Sequence, residues 1–240
     1  LMGKTELILF GSKRRLKSVR HFTLTHRGVT IQASPHVTYL GIQLDQHLCG
    51  NQIATNVISK ANSRLKFLYR QAENLNKHAK KILCSALISC HFDYSVSSWY
   101  HGLPKSYKKK LQTIQNKMLR FIKGWGPMVH VGPPELASEG LLNVEGRAKQ
   151  LGLTHMHKIY NNKCPIYLNK FYTKVSQVHT HNTRQSQRNF FIPRVNSVQT
   201  VAFYYVGAKQ WNSLPLEIKS TLPLAPFKHK VKMHLLQDSV

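Results

Sequence analysis

The sequence predicts a mainly α protein with a small antiparallel β unit at its N-terminal end, an α+β chain. Three observations carry this. Residues 51–123 hold three successive stretches with apolar residues at steps of three and four, the period of one helix face. Residues 22–31 alternate apolar and polar around Arg27-Gly28, a hairpin signal. Beyond Gly124 the helical period returns between glycine and proline breaks. With 240 residues and 42% apolar content, the chain can build a real core.

From Lys4 to Phe10 the run KTELILF reads as a strand ending at Gly11, followed by a basic loop with Lys13, Arg14, Arg15 and Lys17. The hairpin comes next, with Phe22 and Leu24 before its turn and Val29 and Ile31 after it. A third strand is expected over Val37–Leu44, with Gly41 marking a bulge or a close backbone approach. The first helix of the central block carries the stripe Ile53, Val57, Ala61, Leu65 and Leu68, with Asn51 as its cap. The second carries Ile82, Leu83, Ala86, Leu87, Cys90 and Tyr94, with Asn76 as cap. The third carries Tyr107, Leu111, Ile114, Met118 and Ile122, opened near Pro104 and stopped by Gly124. Short connections predict antiparallel neighbours. Later helices are expected over 133–139, 143–160 (on Val144, Ala148, Leu151, Met156 and Ile159) and 165–171. After a polar loop holding Arg184, Arg188 and Arg194 come two more, one on Val201, Tyr205, Ala208 and Trp211, the other on Phe227, Val231 and Leu235. The natural divisions are 1–50, 51–123 and 124–240.

Charge sets the function class. Lys+Arg number 35 and Asp+Glu 9, a net +26. Residues 51–123 alone hold 14 Lys/Arg against Glu73 and Asp93. Crowded like charges repel one another, and a phosphate track relieves that repulsion, so a polyanion partner is expected and nucleic acid first among them. The candidate phosphate contacts are Lys60, Arg64, Lys66, Arg70, Lys108, Lys109 and Lys110. Tyr69, Trp99, Tyr100 and Tyr107 lie among the cations and offer faces for base stacking, although core packing is the default for each. No apolar run approaches a membrane span, and the basic helices spend their apolar stripes on a core, so no membrane partner is expected. Four scattered cysteines suggest no disulfide framework and an intracellular setting.

Chemistry is sparse. The three aspartates Asp45, Asp93 and Asp238 stand apart, whereas two-metal phosphoryl transfer needs clustered carboxylates. Cys84 and Cys90 point different ways on a helix, as do His155 and His157; His179 and His181 in an extended loop could face one way, but no zinc spacing results. No P-loop or nucleophile elbow occurs. No catalytic residue and no metal ligand is assigned.

Four stretches, in order, resemble the C-terminal part of a reverse transcriptase of the non-LTR (LINE-type, jockey-like) retrotransposons. They are Lys4-Thr5-Glu6, the run Tyr39 to Asp45 (YLGIQLD), the helical block with Tyr94, Trp99 and Leu111 to Lys117 (LQTIQNK), and Gly207 to Pro215 (GAKQWNSLP) with Ile218-Lys219. The resemblance implies that 1–50 ends a polymerase palm with its primer-grip hairpin at Tyr39, Leu40 and Gly41. It makes 51–123 a basic three-helix thumb and 124–240 the helical C-terminal region. It implies RNA-directed DNA synthesis with Mg2+ for the parent enzyme, and a partner that is a template–primer duplex. Gly41 would let backbone approach the primer strand, and Lys4 would match a lysine near the leaving pyrophosphate. The family's catalytic aspartates would fall before Leu1. With Leu1 in place of Met and a strand-like run at once, the chain is expected to be a piece of a longer protein, inactive by itself, nuclear and cytoplasmic if expressed. The competing expectation is a basic RNA-binding scaffold without polymerase ancestry.

Overall fold

The described residues up to Gly50 form two hairpins and one short added strand. The computed structural model describes residues 5–19, 21–178, 187–196 and 199–238; Lys4, His179, His181 and Arg184, singled out above, lie outside them. The strand expected over 4–10 is reduced to β1 (Leu7–Ile8), which pairs parallel with β3 (Val29–Ser34) at Leu7↔Ala33 and Ile8↔Ser34. The β unit is therefore antiparallel everywhere except this pair. The expected basic loop is a short helix, α1 (Lys13–Lys17), capped by Ser12, whose hydroxyl accepts from the Arg15 N–H at 3.3 Å. β2 (Thr23–His26) joins β3 through Arg27 and Gly28, both at positive φ (48° and 77°), the two-residue turn whose twist suits paired strands.

The stretch expected as one strand with a bulge is a second hairpin. β4 (His36–Tyr39) and β5 (Ile42–Asp45) pair from His36↔Asp45 to Tyr39↔Ile42 around Leu40 (φ 48°) and Gly41 (φ 77°). Leucine rarely adopts positive φ, so Leu40-Gly41 does not announce its turn as Asn-Gly would. Gly41 answers to the turn, and a side chain there would meet nothing within 4 Å.

Asp45 ends this hairpin and organises the entry to the helices. Its carboxylate accepts from the N–H groups of His47 (2.9 Å), Cys49 (3.2 Å) and Gly50 (3.0 Å). Gly50 (φ 72°) is the N-cap of α2 (Asn51–Arg70), so Asn51, expected as the cap, is already helical. These bonds fix the loop that leads into α2, whose first turn has no side-chain cap.

α6 (Lys105–Lys123) packs against both α2 and α3 (Lys77–Cys84), and α2 also meets α4 (Cys90–Asp93); the short α5 (Val96–Trp99) follows α4 in the chain. Asn76 caps α3 by accepting from the Ala79 N–H at 2.8 Å, and Gly124 (φ 68°) ends α6. Tyr107 meets Thr55 and Phe121 meets Tyr69, so α2 and α6 run parallel while α3–α4 returns between them. The core takes Ala61, Leu65 and Leu68 from α2 and Leu111, Ile114, Met118 and Ile122 from α6, as the stripes predict. Trp99 and Tyr100 join it, so neither offers a free ring face.

The second stripe is different. Ile82, Ala86, Cys90 and Tyr94 face solvent, and Cys84, Ile88 and Phe92 are the buried line. A π turn over Ser85–Ser89 joins α3 to α4. Ile82 is already exposed ahead of this turn, and the exposed and buried lines both step by four residues through it, so the apolar line expected from Ile82 lies on the outer face from its start.

The C-terminal region holds α7 (Pro133–Ser138), α8 (Val144–Tyr160), α9 (Ile166–Asn169), α10 (Phe203–Asn212), α11 (Leu216–Lys219) and α12 (Leu224–Gln237). Val201, expected on the face of α10, precedes that helix and is exposed. α8 joins two cores. Val144 and Ala148 close the three-helix core, whereas Leu153, Met156 and Ile159 pack with Ala208, Trp211, Phe227, Val231 and Leu235. Among the described residues no helix is long and apolar enough to cross a membrane.

Candidate nucleic-acid interface

The seven cations proposed from sequence do not form one track. On α2, Lys60 and Arg64 are four residues apart and share a flank, whereas Arg64 and Lys66 stand about 160° apart around the axis. Lys66 and Arg70 turn away from the bundle. Tyr69, on the α6 side of α2, donates its hydroxyl to the Lys117 carbonyl at 3.3 Å. On α6, Lys108 and Lys110 are again about 160° apart. Lys108 lies over the Tyr100 ring at 4.9 Å, Lys110 over the Tyr107 ring at 5.4 Å, and Lys109 points outward between them.

The Lys60–Arg64 flank is the one beside the second hairpin. One turn below Lys60, Asn56 donates its side-chain amide to the Gln43 side chain of β5 at 2.6 Å. Across the groove, Tyr94 donates its hydroxyl to the Leu40 carbonyl at the hairpin turn, 2.6 Å away. His91, one turn before Tyr94 on α4, which packs on α2, has its pKa lowered by burial and then by the charges of Lys60 and Arg64. Phe67 continues the Lys60–Arg64 face and is 50% exposed. Tyr39 and Leu40, at 64% and 72% exposure, stand at the end of the strip with Gly41.

The result is a continuous arrangement of turn backbone, Tyr94, His91, Lys60, Arg64 and Phe67. It brings the expected primer-grip residues together with two of the seven cations and leaves the other five elsewhere. Phe67 and His91 escaped the sequence reading, although Phe67 carries a signal: it stands three residues after Arg64 and off the apolar stripe. Tyr94, expected in the core, ends α4 with extended backbone (ψ 114°) and is 56% exposed. Cations with exposed aromatic rings between them can hold phosphates and stack on bases.

Several lysines of the central block are engaged within the protein. Lys77 (2.8 Å), Lys81 (3.3 Å) and Lys123 (2.5 Å) converge on the Glu139 carboxylate, which they hold down to about 2. Arg147 grips Asp93 through two guanidinium nitrogens, at 3.0 and 2.6 Å, so one of the two carboxylates of the central block is neutralised. Arg120 is bound to the Val129 carbonyl at 2.8 Å.

Among the described residues no group of three or more His, Cys, Asp or Glu side chains gathers. Burial pushes the Cys84 thiol up to about 12, so it serves as a packed apolar side chain, while Cys90 is exposed. His157 is buried between helices and His155 stands at the surface with its ring partly covered by Phe203, the divergence their spacing predicts. Comparison with family models, with curated proteins and with solved structures gives no match to this chain.

Proposed function

We propose that this chain is a nucleic-acid-gripping part of a non-LTR retrotransposon reverse transcriptase, binding a template–primer duplex through phosphates while the chemistry is done by carboxylates outside the described residues. The observation that carries the reading is the strip from the Leu40-Gly41 turn through Tyr94 and His91 to Lys60, Arg64 and Phe67. A glycine turn lets a strand of nucleic acid approach backbone, and the adjoining cations follow its phosphates without reading bases. The order of a two-hairpin unit followed by a basic three-helix block supports it too. No catalytic step is assigned to the chain; Asp45 is engaged in capping hydrogen bonds and Asp93 and Glu139 in ion pairs.

The test is a titration of an RNA–DNA duplex with a recessed 3′ end against a blunt duplex, each at two salt concentrations. The reading expects preference for the recessed end and a steep loss of affinity with salt. Replacing Lys60 and Arg64 together by alanine should flatten the log–log salt slope by about two phosphate contacts. The same change at Lys66 and Arg70 should do less. The scaffold reading draws on the divergence of Lys66, Arg70, Lys108 and Lys109, which suits an RNA wrapped on several sides. Equal affinity for blunt and recessed duplexes, with both double variants equally impaired, would replace the first reading by the second.

A further inference from the structure

A cleft of about 550 Å³ opens where the end of α8 meets α9 and the start of α10. It lies in the C-terminal region, and none of its lining residues belongs to the strip described above. Its walls are carbon over most of their area: Ile159, Leu168, Phe171, Tyr172 and Phe203 face it. Lys158 and His155 stand at its edge, the His155 ring edge-on to Phe203 at 6.2 Å. Next to the cleft, Ile166, Tyr167 and Phe171 are 82%, 63% and 64% exposed, more apolar surface than a short solvated helix needs.

Charge narrows the occupant. Residues 146–216 contain no Asp or Glu, and the cleft's own segment supplies Lys158, Lys163, Lys170 and Lys174. Lys158, Lys163 and Lys170 make no ion pair among the described residues. His155 has its pKa lowered by burial and by Lys158 and Lys228, so the lysines carry the charge. A nucleobase in this cleft would bury its polar edges against carbon with few partners, which is unfavourable. An aromatic or aliphatic side chain loses nothing there, and carboxylates beside it would meet the lysines.

We propose that this cleft is a docking site for an acidic peptide segment of a partner protein, which inserts one aromatic or large aliphatic side chain between Phe171 and Phe203 and sets its carboxylates against Lys158 and Lys170. The site joins a buried apolar anchor to a charged rim, the usual anatomy of a small recognition interface.

The experiment pans a random peptide library displayed on phage against the full chain, then measures the strongest enriched peptide by fluorescence anisotropy. The enriched sequences should pair an aromatic or large aliphatic residue with several Asp or Glu. Phe171→Ala, Lys158→Glu and replacement of the peptide's own anchor by alanine should each weaken binding roughly tenfold or more. Phe171 is well exposed, so the variant keeps the fold, and duplex affinity of both protein variants at the Lys60–Arg64 strip should be unchanged. Absence of enrichment, or an enriched peptide indifferent to both protein variants, overturns the proposal. So does a single-stranded oligonucleotide that displaces the peptide and loses affinity with Phe171→Ala, which would make the cleft a base-stacking subsite.

Discussion

Glu139 gives the sharpest test of what fastens the C-terminal region to the three-helix block. Its side chain is 8% exposed and meets three ammonium groups, from Lys77 and Lys81 on the second helix and Lys123 on the third. The hydrogen bonds from Lys123 and then Lys77 are the main reasons its carboxyl sits at about 2 instead of 4.5. Fully counted, that difference is worth about 3 kcal/mol through proton linkage. The lysine chains cover the carboxylate, but their own ammonium ends reach water, with Lys77 at 58% and Lys81 at 45% exposure. Screening therefore reduces the contribution to about 1–2 kcal/mol. The folded pKa lies below the unfolded one, so this stability is fully present above pH 4.5 and is lost as pH falls towards 2. Glu139→Gln should lower the urea-unfolding free energy by about 1–2 kcal/mol at pH 7. The gap between variant and parent should narrow at pH 4 and nearly close at pH 2.5, and high salt at pH 7 should shrink it as well. Parent and variant of equal stability at pH 7, or a gap that persists undiminished at low pH, would refute the reasoning.

The other predictions concern packing, protonation and the strip itself. A side chain at Gly207 would come within 2.8 Å of the Met156 Sδ and 3.1 Å of Phe203, so Gly207→Ala should cost about 1–2 kcal/mol in thermal or urea unfolding. A smaller residue at 156 should recover part of it. His101 is lowered to about 4 by burial and by Lys108, and its Nε2 is buried without a partner. It stays neutral when folded but takes a proton when unfolded, so stability should fall from about pH 6.5 towards pH 4 by about 2 kcal/mol in a urea-against-pH series. A His101→Asn variant should lack that part of the slope. Tyr94→Phe removes the hydroxyl bound to the Leu40 carbonyl. It should cost about 1 kcal/mol or less and speed amide exchange at the Leu40-Gly41 turn, read by hydrogen–deuterium exchange.

How far the sequence could be read depended on how local each feature is. Asn76, Asn143 and Gly124 were legible as helix ends because a cap acts within one turn, and Arg27-Gly28 was legible as a turn because glycine tolerates positive φ. Leu40 defeated the same logic: nothing local favours leucine at φ 48°, and pairing of the flanking strands holds it there. Asn51 is not the cap for a related reason: the loop that Asp45 holds brings Gly50, at φ 72°, to the cap position and leaves Asn51 inside the helix. The stripes of the first and third helices held, because unbroken helices keep a constant period. The second stripe lies on the outer face, because this helix carries two apolar lines and the pattern alone does not say which of them meets the core. At the candidate site, the types of residue were legible and their grouping was not. Lys60 and Arg64 could be paired from their spacing, but only folding puts His91, Tyr94 and the hairpin turn beside them.

The sequence by itself determined that this protein is mainly helical with a small β unit at its start, that it is strongly cationic, and that its second and third regions build their cores on helical stripes. These follow from composition and from periods that each segment carries alone. The tertiary structure decided which cations stand next to the Leu40-Gly41 turn, which are neutralised by Glu139 and Asp93, and that α8 closes two cores at once. The reason is distance along the chain: Lys77 and Glu139, or Leu40 and Tyr94, are more than fifty residues apart. Their meeting is fixed by how helices and hairpins pack, which no local pattern records.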